Sequence, residues 1–226
     1  MPRQPRVDVV QPAADPVRLV LTEDRIVRAA ATLIERHGLA AVSMRRVATD
    51  LGVAPMSLYN HVPNKAALLD AVAEHIIAGL RYTDDPTADW QDRGRALARA
   101  FRAMAQDHPQ GMAVVMSRQI NSPAGLRLIE HALAIADAGG FSRRQSVQIV
   151  RLLVAYIIGS LSRESGHALM LNYASDPQRV LERADQARFP HVHDLAPLLV
   201  EHNFEADFEF GLDLLMNALA GLPRQP

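Results

Sequence analysis

An all-α fold is what this sequence predicts, on three observations. From Thr22 onward, apolar residues recur at spacings of three and four, the period of a half-buried helix. No segment sustains the period-two alternation of a strand. Caps and breakers (Gly38, Gly52, Pro63 and the Gly139-Gly140 pair) divide the chain into segments of helical length. The expected architecture is a three-helix N-terminal head with a helix-turn-helix, joined to a larger C-terminal helical body. Residues 1–21 are read as a flexible arm, 22–69 as the head and 70–226 as the body.

The arm holds four prolines and three arginines with no helical period. Thr22 then serves as an N-cap, with Glu23 and Asp24 complementing the first-turn dipole. Ile26, Ala29, Ala30, Leu33 and Ile34 form one stripe, and Gly38 ends that helix. Ser43 caps a second helix reaching Leu51, and Gly52 breaks it. Pro55 opens a third, residues 55–61, and Asn64 caps a fourth that runs to Tyr82. In the body, helices are expected over residues 89–107 and from the Asn121-Ser122-Pro123 cap to Gly139. Ser142 and Gln145 make a capping box for a long helix, residues 142–170, which at helical rise is ~40 Å long. Residues 176–188 read as a short or partly ordered helix, Pro190 and Pro197 as flanks of a loop, and residues 203–219 as the last helix.

The 226 residues can bury roughly 70–75% of the unfolded surface, enough for a core without staples. Cysteine is absent, which removes disulfides, thiolate metal sites and cysteine nucleophiles. The longest apolar runs, such as residues 152–159, fall far short of the roughly 20 residues that span a bilayer. Arg3 and Arg6 are followed by no apolar stretch that would make a secretory leader. A cytoplasmic protein without a membrane partner is expected. The formal net charge is −1, but residues 1–65 carry eight Arg and one Lys against six acids, so the N-terminal part is the basic part.

Residues 25–69 are the informative stretch. A helix ending at Gly38, an eight-residue helix ending at Gly52 and a short helix three residues later have helix-turn-helix spacing. Val47, Ala48, Leu51, Val53, Leu58 and Val62 supply its buried seam. Arg45 can reach a guanine edge bidentately, and Ser43 stands beside it at the cap. Pro55 and Met56 can touch thymine methyls, while Ser57, Tyr59, Asn60 and His61 suit phosphate or base contacts. Lys65, the one lysine in the chain, opens the fourth helix, where a cation opposes the dipole and a bound phosphate would be favoured.

The set Thr22-Glu23, Ile26, Ala29-Ala30, Leu33, Gly38, Ser43-Met44-Arg45, Val47-Ala48, Leu51-Gly52-Val53, Ser57-Leu58-Tyr59-Asn60-His61-Val62, Asn64-Lys65 and Leu68-Leu69 resembles the DNA-binding domain of the TetR family of repressors. The stretch Phe208-Glu209-Phe210-Gly211-Leu212-Asp213-Leu214-Leu215 resembles the same family near its C-terminus, and Trp90-Gln91 and Gly159 line up as well. The resemblance implies a homodimer whose heads read a palindromic double-stranded DNA operator and whose bodies hold a small-molecule effector. Dimerisation also has support from the residues. Val150, Leu153, Val154, Ile157, Ile158 and Leu161 cover more than one face of the long helix, and Leu212, Leu215, Met216 and Leu219 add to them, giving a four-helix seam between two copies.

Tetracycline-binding members of the family hold the drug and its magnesium with His and Asn side chains on the fourth to sixth helices and a Glu on the eighth. The matching places here hold Arg81, Leu97, Val115 and Arg163, with Glu164 one position away. Neither tetracycline nor magnesium is therefore expected, and no cofactor. An apolar or amphipathic effector is expected instead, with Phe101, Met104, Met112 and Met116 as adaptable lining and His108, Gln119, His131, Tyr156 and His167 as polar anchors. His191 and His193 lack a nearby third ligand and read as a solvated loop rather than a metal site. No HExxH, GxSxG, phosphate-loop or dinucleotide motif points to an enzyme. The alternative is a DNA-binding regulator without an effector, controlled by a protein partner. A body cavity of about 300 Å³ or more would favour a ligand, and a filled core the partner.

Overall fold

The structure, a computed structural model, describes residues 20–118, 122–164, 178, 181–182 and 185–224. Among these residues there are ten α-helices and no strand. The head is built from α1 (Glu23–His37), α2 (Met44–Leu51) and α3 (Pro55–Tyr59), with the first part of α4 (Lys65–Ala78). The starts of α1, α2 and α4 are capped by side chains, and α3 opens on Pro55 without one. Thr22 Oγ1 accepts from the Arg25 amide at 3.2 Å, Ser43 Oγ from Arg46 at 3.2 Å and Asn64 Oδ1 from Ala67 at 2.9 Å. Gly52 ends α2 in the left-handed region, φ 67°, which opens the helix-turn-helix turn. Ile26, Ala30, Ile34, Val47, Ala48 and Leu58 are completely buried, so the seam read from spacing is the head's core. The third helix ends at Tyr59, before His61, and the fourth ends at Ala78 rather than Tyr82. Tyr82 instead donates its hydroxyl to Asp84 in the following loop.

The body comprises α5 (Trp90–Asp107), α6 (Met112–Ser117), α7 (Pro123–Ala138), α8 (Arg143–Glu164), α9 (Pro190–Val200) and α10 (Phe204–Ala220). The capping box closes as expected: Gln145 N donates to Ser142 Oγ at 3.3 Å, and Ser142 N to Gln145 Oε1 at 2.8 Å. The expected extension of α8 to residue 170 lies outside the described residues, as do residues 176–177, 179–180 and 183–184. Two readings change. Helix α6 was not expected; it has no side-chain cap within its own sequence and takes one from α1, described below. Pro190 and Pro197 do not flank a loop, because both lie in α9. Pro190 occupies the first helical position, where a missing N–H removes nothing. Pro197 forgoes one hydrogen bond late in the helix, beside Ala196, which is fully buried and anchors α9. His191 and His193 therefore sit on a helical turn.

Helix α4 joins the two parts, packing on α1 on one side and on α6 and α7 on the other. A continuous core runs from Ile26 and Leu33 through Leu68, Val72 and Ile76 into Phe101, Val114 and Phe208. Helices α5 and α10 are also laced together by charge. Arg95 pairs with Asp213 at 2.9 Å, Arg99 with Glu209 at 2.6 Å, and the buried Arg102 with both Glu205 and Glu164. The hydrogen bonds from Arg99 hold the Glu209 carboxyl below its usual range.

The expected dimer seam needs redrawing. On α10, Leu212, Met216 and Leu219 turn into the subunit's own core, while Phe210 and Leu214 are 68% and 56% exposed. On α8, Ile157 is buried, Val150, Leu153, Val154 and Ile158 line a cavity, and Val147 and Leu152 stand outside. Helix α8 is long and apolar enough by length and composition to cross a membrane, yet only 17% of its most apolar stretch is buried within the chain. A second protein surface is the occupant that an apolar helix face in this setting calls for.

Candidate DNA-binding and effector sites

Every residue singled out for DNA lies on or beside α2, α3 and the start of α4. Arg45, Pro55, Met56, Tyr59, Asn60, His61 and Lys65 are exposed, Met56 to 72%, and Ser57 is half-buried. Ser43 is exposed but its hydroxyl is committed to capping α2. Proline at the first position of α3 leaves no amide to satisfy there, so this short helix begins cleanly, and Pro55 and Met56 of its first turn are exposed.

The body holds a partly open cavity of about 210 Å³ between α5, α6, α7, α8 and α10, walled almost entirely by carbon. Phe101 and Met116 line it, together with Trp90, Leu97, Ile149 and Ile157. Arg118 is the one charged residue of its lining. A second, more open pocket of about 450 Å³ lies against it, lined by Met112 and Met116 with Gln106, Gln110, Ser162 and Glu164. The first is smaller than the expected threshold and the second larger, so the body is not a filled core. The remaining expected anchors go elsewhere. Met104 is buried in the core, and His131 lies edge-on to Tyr82. Tyr156 stacks on Phe208 and donates to its carbonyl at 2.6 Å, while His108 faces Glu35. Gln119 and His167 lie outside the described residues. The inner face of α8 also supplies Ile149, which the sequence did not single out, and Val150, Leu153, Val154, Ile157 and Ile158, which the sequence reading places in the dimer seam.

Residues 26–72 match the family model "Bacterial regulatory proteins, tetR family", and residues 83–223 match "Tetracyclin repressor-like, C-terminal domain". The chain belongs to the TetR family of transcriptional regulators. It is 28% identical over 217 residues to the HTH-type transcriptional repressor DrrR1 of Streptomyces coeruleorubidus, covering 91% of this chain and 79% of that one. The TetR family protein ActR of Streptomyces coelicolor, solved in complex with actinorhodin, superposes with a TM-score of 0.78 at 25% identity, covering 89% of this chain and 96% of ActR. BioQ, solved with its double-stranded DNA operator, gives 0.62 at 26% identity, covering 90% and 100%.

In this TetR-family regulator, three polar links join the head and α4 to the cavity walls. The carboxylate of Glu35, near the end of α1, accepts from the amides of Gly111 at 2.8 Å and Gln110 at 3.2 Å and so caps α6. A Cβ at Gly111 would come within 2.7 Å of Glu35 Oε1 and 2.6 Å of Ile76 Cδ1, so a larger residue there obliges those two side-chain ends to shift. Just past the other end of α6, Arg118 Nε donates to Asp70 Oδ1 at 2.6 Å and holds that α4 carboxyl below its usual range. Glu74, also on α4, accepts from the Ala124 amide at the start of α7. Helix α6 thus lines both pockets and is fastened at one end to α1 and at the other to α4.

The tetracycline-type magnesium site does not fit these side chains. Leu97 and Val115 are buried carbon walls, and Arg81 is exposed. Glu164 is already committed to Arg102 at 2.6 Å and to Gln106 at 3.0 Å. No group of three His, Cys, Asp or Glu residues able to hold a metal occurs among the described residues.

Proposed function

We propose that this regulator is a cytoplasmic, homodimeric repressor, not an enzyme, that binds a palindromic operator and is released when a small apolar or amphipathic molecule fills the body. The observation that carries the reading is α6. It walls both pockets and is tied to α1 through Glu35 and to α4 through the Arg118–Asp70 pair. The actinorhodin held by ActR and the operator held by BioQ support the same two-ended reading. Division of the chain near residue 69 into head and body follows from it, with α4 as the lever across the boundary. Ser43, Arg45, Pro55, Met56, Ser57, Tyr59, Asn60, His61 and Lys65 form the DNA face. Arg45 reads a base, and Lys65, at the amino end of α4, holds a phosphate. The outer faces of α8 and α10 pair two copies.

Mechanistically, an effector shifts the equilibrium only by its preference for the splayed state, because equal affinity for both states shifts nothing. A body lodged against Met116 and Val115 favours a displaced α6, and displacement of α6 strains the Glu35 cap and the Arg118–Asp70 pair. Those strains are relieved by rotating α4. Fluorescence anisotropy on DNA flanking the protein's own gene, against random DNA of equal length, tests the reading. Tight binding to a palindromic segment that persists between about 50 and 200 mM salt is expected. Equal, salt-labile binding to both DNAs refutes it.

A further inference from the structure

The two pockets meet at two side chains, Met116 of α6 and Ile158 of α8, each of which lines both. The inner chamber, about 210 Å³, has carbon walls apart from Arg118, whose guanidinium is bonded to Asp70 and the Ala66 carbonyl. A dry cavity of about 150 Å³ accepts benzene, so this one holds a body of roughly two fused rings. A polar group lodged there would be desolvated without a partner.

The outer vestibule, about 450 Å³, has the opposite character. Gln106, Gln110, Ser162 and Glu164 supply polar lining beside Met112 and Leu161. The Glu164 carboxylate is held in place rather than free: Arg102 donates to Oε1 from Nε at 3.2 Å and from Nη2 at 2.6 Å, and Gln106 donates to Oε2 at 3.0 Å. Arg102 is shared with Glu205, so the cluster carries two carboxylates on one guanidinium. An anionic ligand group is disfavoured there, and a hydrogen-bond donor is favoured.

The geometry points to a two-part effector site: the chamber takes an uncharged apolar body of about two rings, and the vestibule takes a hydroxyl-, amide- or amine-bearing arm of the same molecule, threaded between Met116 and Ile158. This rests on reading the cavity as the effector site and adds the ligand's chemical class and the direction of its polar end. The flexible thioether of Met116 makes room for the thread. Because Met116 belongs to α6, an armed ligand engages α6 from both sides.

Trp90 is the only tryptophan in the chain and lines the chamber, so its emission reports occupancy. The probe is 1-naphthylamine, whose binding quenches Trp90. It is then displaced by naphthalene, by 2-substituted naphthalene with a hydroxyl-ended triethylene glycol arm, and by the same arm ending in a carboxylate. The hydroxyl-ended compound is expected to displace the probe at about three- to tenfold lower concentration than naphthalene, the return from one net hydrogen bond. The carboxylate-ended compound gains nothing. Gln106→Ala, at an exposed position, erases the gain and leaves naphthalene unchanged, whereas Ala132→Phe fills the chamber and weakens all three. Equal displacement by armed and unarmed compounds, or a Gln106→Ala loss shared by naphthalene, overturns the two-part site. Failure of 1-naphthylamine to quench Trp90 overturns it as well. Labelled operator DNA followed in parallel separates the two readings. Release without any benefit from the arm sinks the two-part site alone, and an arm benefit without release sinks the repressor-release reading alone.

Discussion

Removing the Glu35 carboxylate tests whether the head and the cavity communicate through α6. Glu35→Ala leaves the Gly111 and Gln110 amides uncapped, and both now bond to that carboxylate, at 2.8 and 3.2 Å. Loss of an N-cap costs about 0.5–2 kcal/mol. Loss of an anion at a helix N-terminus overlaps with this and is worth about 0.3–1 kcal/mol. A penalty of about 1–2 kcal/mol therefore falls on whichever state keeps the cap. If the DNA-competent state keeps it, and unliganded protein prefers that state by ~1 kcal/mol, its population falls from ~85% to about a third. Operator affinity then drops about threefold, and more where the initial preference is weaker. Linkage requires the reciprocal effect, so 1-naphthylamine binding tightens severalfold. Glu35→Gln keeps an acceptor without the charge and should give roughly half the free-energy effect.

The assay is paired: operator affinity by anisotropy and probe affinity by Trp90 quenching, each at fixed salt, with a melting temperature alongside. A lower melting temperature with both affinities unchanged would show that the cap serves stability alone, and the coupling argument would fail. Arg118→Gln is the companion, removing the 2.6 Å bond to Asp70 at the other end of α6. The two ends act on one helix, so the double variant is expected to be non-additive.

Three further expectations follow from the geometry. Arg45→Ala should cost about 1–3 kcal/mol on operator DNA and relax one base position, whereas Lys65→Ala weakens all sequences alike and lowers the salt slope by about one; equal loss on operator and random DNA for Arg45→Ala removes its base-reading role. Leu214→Glu, at a side chain 56% exposed in one chain, should dissociate the dimer in sedimentation without lowering helicity, and an unchanged dimer places the interface elsewhere. Asp84 is hydrogen-bonded by the buried Arg93 and by Tyr82, which hold its carboxyl below the usual range, while burial and the Asp84 hydrogen bond push the Tyr82 phenol up to about 12. A depressed carboxyl contributes stability above its unfolded pKa of about 3.9 and loses it as pH falls through the lower folded value. Thermal stability should thus hold from neutral pH to about 4 and fall below, and Asp84→Asn, by orphaning the Arg93 charge, should cost about 2–3 kcal/mol at pH 7 and flatten the acid limb, with an unaltered limb counting against the pair.

The head was legible because local rules decide it. Ser43, Gly52, Pro55 and Asn64 fix where helices start and stop through bonds within four residues, and the buried stripe then follows from the helical period. The body was less legible because its decisive contacts are distant. Helix α6 takes its cap from Glu35, 76 residues away from Gly111, and no local pattern encodes that. The apolar surplus on α8 was visible, but sequence cannot divide it between a cavity, a core and a partner. Val150 and Leu153 went to the first, Ile157 to the first two, and Val147 and Leu152 to none of them within one chain. The polar anchors misled for a related reason. A histidine or tyrosine on an inward face satisfies itself on the nearest neighbour, as Tyr156 does on the Phe208 carbonyl, before it serves a ligand.

What makes α6 suited to switching is the contrast between how it is walled and how it is fastened. Its inner side chains belong to apolar surfaces whose burial is non-directional and survives small shifts. Its ends are held by directional bonds from Glu35 and Asp70, worth about 1 kcal/mol each, that a shift of an ångström breaks outright. Asp70 lies five residues beyond Lys65 on the same helix, so in the proposed switch loss of its pair loosens the turn that carries Lys65. A ligand therefore need not unpack either core. It needs only a preference of a few kcal/mol for the arrangement in which these bonds are open, within reach of burying a two-ring body in a chamber of about 210 Å³.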